Sequence, residues 1–90
     1  MHLASFADPA ALSVAWRSLL ASESGALSKL SPFARAVTSS SGDVLYRLVA
    51  GPFSSETEAR RVCQHLKSNN RFCKISTKLG TPLAQTLATN

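Results

Sequence analysis

Ninety residues support one domain with a single modest hydrophobic core, near the size at which a covalent staple helps. An apolar fraction of 44% is too high for a disordered chain, and no uninterrupted apolar stretch approaches the roughly 18–20 residues that span a bilayer. The formal charge is +5, and seven of the ten Lys and Arg lie between Arg47 and Lys78, which suits nucleic acid, an anionic membrane surface or an anionic polysaccharide as partner, or simply a solubilising surface.

The chain opens on the strand-like run His2-Leu3-Ala4-Ser5-Phe6, with no basic leader or apolar targeting core ahead of it, so the parent chain is expected to extend beyond Met1. A helix is expected from Pro9 to Ala21. Asp8 can cap it, and Pro9 fits its first position, where a missing N–H loses nothing. Ser22 to Ser31 is polar, and Ala26 to Leu30 is expected to add a short helical turn over an open edge of the core. Phe33 to Thr38 reads as a strand, Ser39-Ser40-Ser41-Gly42 as a hairpin turn, and Asp43 to Ala50 as the strongest strand. Ser55-Glu56-Thr57-Glu58 reads as a capping box, with Glu58 reaching back to Ser55, for a helix from Glu56 to Ser68. Asn69-Asn70 tolerate a left-handed exit. Arg71 to Thr77 is the last expected strand. Residues 1–77 thus form the domain, and 78–90 form a tail expected to be loosely packed or disordered.

An internal repeat organises these elements. Aligning Phe6 with Phe53 places Leu12 on Ala59, Ala15 on Val62, Trp16 on Cys63 and Leu19 on Leu66. Each set has i, i+3, i+4, i+7 spacing, which puts four side chains on one helical face. Two strand–turn–helix units in tandem predict an α+β, ferredoxin- or ribonucleoprotein-like βαββαβ fold: a four-stranded antiparallel sheet with both helices on one face. Strand alternation then points Val44, Tyr46, Leu48, Ala50, Cys73, Ile75 and Leu3 inward. It leaves Leu45, Arg47, Val49, Phe72, Lys74, Ser76, His2 and Ala4 on the bare face. For the strand holding Phe33, Arg35 and Val37, alternation leaves the facing open.

The stretch Leu45-Tyr46-Arg47-Leu48-Val49-Ala50-Gly51-Pro52-Phe53, echoed by His2-Leu3-Ala4-Ser5-Phe6 and followed by the Leu66-Lys67 pair, resembles the SPOR (sporulation-related repeat) domain. The resemblance covers about residues 2–76. It implies non-catalytic binding of peptidoglycan at the division septum, with preference for glycan strands stripped of stem peptides. It also implies a periplasmic parent protein, anchored or exported, that works beside other cell-division or wall-remodelling proteins. By this resemblance the glycan contacts fall on His2, Ser5, Leu45, Arg47, Val49 and Lys74. His2 and Leu45 depart from the commonest choices at their positions. The chemistry suits these residues: removing stem peptides uncovers a carboxylate on each muramic acid, which Arg47 and Lys74 can grip.

Cys63 and Cys73 match a recurrent variant of the same family, with one Cys in the second helix and one in the last strand. Both are expected to face the core, where they form either a disulfide or two free thiols. No metal ligand set or cofactor motif is apparent, and no nucleophile–base pair suggests an enzyme. Trp16 reads as core and His65 as a solvated surface residue. Two alternatives keep the fold and change the partner. An RNA-binding module needs stacking aromatics on the central strands, and with Leu45 and Val49 flanking Arg47 no nucleic acid is expected. A protein-interaction domain would dock its partner on the open sheet.

Overall fold

The computed structural model describes residues 1–76 and 78–83. Its elements run β1 (His2–Phe6), α1 (Ala10–Leu27), β2 (Ser31–Thr38), β3 (Val44–Gly51), α2 (Glu56–Ser68) and β4 (Thr81–Pro82). The strands form one antiparallel sheet in the order β1-β3-β2-β4. Leu12 and Trp16 of α1 and Cys63 and Leu66 of α2 meet Leu3, Ala34, Leu48 and Ala50 in a single core. The fold is therefore the expected α+β, ferredoxin-like one, with its apolar layer between the helices and one side of the sheet.

Local chemistry explains the boundaries. Asp8 Oδ1 accepts the Ala10 amide at 2.9 Å, and Pro9 already holds helical angles. Ser55, extended at φ −156°, accepts the Glu58 amide at 3.1 Å and caps α2. Only half of the expected capping box forms, because the Glu58 carboxylate takes the Ser54 hydroxyl instead of reaching back to the Ser55 amide. At the other end Asn70 adopts φ 62°; the Asn70 amide donates to Lys67 O (3.0 Å) and the Arg71 amide to Leu66 O (2.9 Å), a Schellman closure.

Three details differ from the expectations. The first helix and the separate turn after it are one helix, Ala10–Leu27, bent at Glu23 (φ −127°, ψ 33°). Glu23 is buried there, and its carboxylate accepts from Asn69 Nδ2 at 3.0 and 3.2 Å, which ties the bend to the end of α2. Secondly, the expected last strand is reduced to one bridge. The His2 amide donates to Lys74 O at 2.7 Å and the Lys74 amide to His2 O at 3.0 Å, on the outer edge of β1. A disulfide from Cys63 to Cys73 (Cα–Cα 5.5 Å) ties this stretch to α2 from the core side. Thirdly, the ladder's fourth strand lies further along the chain. Beyond Lys74 the backbone passes the end of the sheet, where the Met1 amine donates to Ala50 O (3.1 Å) and Ser76 O (3.4 Å). Thr81 and Pro82 then pair with Ala34 and Phe33 on the far edge of β2, and Leu83 is buried in the core. Gly80 (φ +93°) permits this approach, since a Cβ there would stand 2.4 Å from Ala34 O. Of the expected loose tail, residues 84–90 lie outside the described residues.

Candidate functional site

Residues opposite one another in an antiparallel ladder share a face. Tyr46, Leu48 and Ala50 pack under the helices, so Leu45, Arg47 and Val49 turn to the other side. The register carries this face across the sheet. Val37, Arg35 and Phe33 of β2 stand opposite Leu45, Arg47 and Val49. In β1, Ser5 stands opposite Arg47 and His2 opposite Val49. Lys74 bridges His2 at one edge, and Pro82 pairs with Phe33 at the other.

A bulge makes this possible. Simple alternation would put His2 and Ser5 on opposite faces. The register slips between His2 and Ala4, so Leu3 and Ala4 both contact the core. Ala4, expected on the bare face, therefore pairs with Leu48 on the helix side, and Ser5 joins His2. The Nε2 of His2 lies 3.0 Å from Ala4 O and 2.9 Å from Ser5 Oγ. A carbonyl can only accept, so Nε2 carries the hydrogen that bonds it. Burial first, and then the nearby Arg47 charge, hold the His2 pKa below the usual imidazole value, against the opposing pull of the Ala4 carbonyl. Lys74 and the chain amine push in the same direction as Arg47.

The expected glycan contacts sort unevenly. His2, Ser5, Leu45, Arg47 and Lys74 share the face and keep accessible surface. Val49 points the same way but is 0% exposed, enclosed between β1 and β2, so it is floor and not contact. Two residues absent from the expected set, Arg35 and Phe33, join the face from β2. The hairpin held the missing signal. Ser39 and Asp43 close it through a 2.7 Å amide–carbonyl bond, which sets Val37 opposite Leu45 and hence the facing of all of β2. Phe72, expected on this face, is 58% exposed and meets the His2 ring edge-on at 5.2 Å.

All five acids are engaged elsewhere. Asp8 caps α1, Glu23 is bound to Asn69, Asp43 accepts from Ser41 in the hairpin, Glu56 pairs with Arg60, and Glu58 takes Ser54. The bare face thus carries Arg35, Arg47 and Lys74 with no acid, and among the described residues none of the three side chains has a hydrogen-bond or ion-pair partner. The concave sites lie on the helix side. A groove of about 590 Å³ runs past Glu23, Lys29, Arg61 and His65, and an apolar one of about 410 Å³ past Met1, Phe53, Ile75 and Leu79. His65 is half exposed, as expected, with its Nε2 3.4 Å from Glu23.

Among the described residues no three His, Cys, Asp or Glu side chains gather as metal ligands, and no helix is long and apolar enough to cross a membrane. Neither the curated proteins nor the solved structures contain a significant match to the chain. A family profile does match, over residues 2–76, a range that takes in both repeats, the Cys63–Cys73 staple and every basic residue of the bare face but not β4. On that match the chain belongs to the SPOR domain family, whose general role is peptidoglycan binding.

Proposed function

We propose that the bare sheet face binds septal peptidoglycan in the periplasm, prefers glycan strands lacking stem peptides, and so directs its parent protein to sites of division or wall remodelling. The observation that carries this reading is an acid-free face holding Arg35, Arg47 and Lys74 unpaired beside the polar pair His2 and Ser5. Arginine grips a carboxylate through two parallel N–H bonds, and stripped glycan offers one such carboxylate on each muramic acid. Sugar faces and N-acetyl methyls suit Leu45 and Val37, and the exposed ring of Phe72 suits a pyranose ring. An extended polymer needs an open strip, not a closed cavity, and the sheet supplies one.

Pull-down on purified peptidoglycan before and after amidase treatment tests this. Stronger retention on treated material is expected. Equal failure on both removes the reading. One observation favours a second partner class. Phe33 flanks Arg35 on β2 and the exposed Phe72 meets His2 at the other edge of the same face, which supplies more of the aromatic–basic mixture that single-stranded RNA requires than the sequence promised. A gel shift with oligo(U) at moderate salt separates the two: a shift there with no glycan retention replaces the first reading with the second.

A further inference from the structure

Arg35 and Arg47 are direct partners across the β2–β3 ladder. Like charges placed opposite each other destabilise a sheet, and this pair has no acid of its own to offset it. Both residues are half-buried, so solvent ions screen them less than a fully exposed pair. The neighbours on the same face do not relieve the charge. Val37 and Phe33 flank Arg35 along β2, Leu45 and Val49 flank Arg47 along β3, and Ser5 lies beyond Arg47. Two planar, permanently charged donors set side by side against apolar neighbours suit an anion from outside.

We propose that Arg35 and Arg47 form a two-arginine clamp for a single carboxylate, and that Arg35 is a specificity-determining residue of this face. The identity of the ligand rests on the glycan reading above: the carboxylate is the lactyl group of muramic acid. In an intact wall that group is an amide, linked to the stem peptide, and carries no charge. Amidase cleavage returns the free carboxylate. The clamp therefore reads stripped strands by charge as well as by the room that peptide removal creates.

Two titrations test this separately. Citrate, a small tricarboxylate, is added to the whole domain while the Arg35 and Arg47 Nε–H signals are followed by NMR. Both signals are expected to move together and to saturate at one concentration, and Arg35→Gln is expected to abolish the response at Arg47. If the signals stay still, or Arg47 responds unchanged in the variant, the clamp is wrong whatever the glycan does. In the second titration, Arg35→Gln is expected to lose roughly ten- to hundredfold in affinity for a peptide-free muramic oligosaccharide. A neutral N-acetylglucosamine oligomer is expected to bind both forms alike. Unchanged binding of the muramic oligosaccharide overturns the role of Arg35. Failure of the unsubstituted domain to bind that oligosaccharide, with the citrate response intact, overturns the glycan reading and leaves the clamp. Should Arg35→Gln not fold, Arg35→Lys keeps the charge without the planar fork. The Arg47 Nε–H signal alone is then followed: a weakened response to citrate is expected, and a full-strength response counts against a clamp.

Discussion

His2 Nε2 stands 2.9 Å from Ser5 Oγ, although the two residues are three apart on one short strand. The bulge at Leu3 brings them to one face, and it also sets the imidazole next to Arg47, Lys74 and the chain amine. Partial burial first, and then these positive neighbours, hold the His2 pKa below the usual imidazole value.

The sign of the resulting pH dependence follows. The folded state holds the His2 pKa below that of the unfolded chain, about 6.5, so the unfolded state binds the proton first. Stability is full above that value. It falls as pH drops through about 6.5 toward the folded pKa, and this contribution then levels off. Protonation adds a positive charge to the bare face, so affinity for a carboxylated glycan is expected to rise over the same range. Melting curves and binding isotherms at pH 7.5 and 5.5 check both. His2→Gln should flatten both trends, and trends of the same size in the variant would show that another group carries them.

Arg47→Ala is expected to reduce glycan retention by roughly tenfold or more while the melting temperature stays level or rises. The rise would come from relief of the repulsion with Arg35. Raised salt should weaken binding in the native domain more than in the variant. Retention identical to native protein would show that the binding surface lies elsewhere.

Paired Cys63→Ser and Cys73→Ser substitutions are expected to cost about 2–3 kcal/mol, since the disulfide closes a ten-residue separation in the unfolded chain. Urea unfolding with and without reductant measures this. Reductant should destabilise only the native domain. Because the disulfide anchors to α2 the stretch whose Lys74 bridges β1, glycan affinity should fall in parallel.

Gly80→Ala is expected to cost about 1–3 kcal/mol, because the residue holds φ +93° and an added Cβ would collide with Ala34 O. The loss should be local. Amide exchange is expected to accelerate at residues 81–83, with the α2 amides unchanged. Uniform acceleration across the domain would mean that β4 is integral to the core and not an added edge.

The helices were legible in the sequence because each wears its own signals. A 3.6-residue apolar period marks both, Asp8-Pro9 and Ser55 start them, and Asn69-Asn70 end the second. Glu56–Ser68 was predicted to the residue. Helical spacing turns Cys63 to the core and strand alternation turns Cys73 there, and the two meet. Bare-face positions were legible where alternation held, as at Leu45 and Arg47.

Local pattern and the tandem repeat were thus enough to determine the βαββαβ order, the buried helix faces and the basic character of the bare side. Tertiary structure decided the rest, because it depends on which backbones lie side by side. One slipped residue in β1 moved Ser5 to the bare face and Ala4 away from it. Enclosure between neighbouring strands sealed Val49. The hairpin register set Arg35 against Arg47, and Gly80 let a segment with little strand pattern of its own complete the sheet. Side-chain periodicity is written within a segment, whereas register is a relation between segments, settled by hydrogen-bond pairing and close approach when they meet.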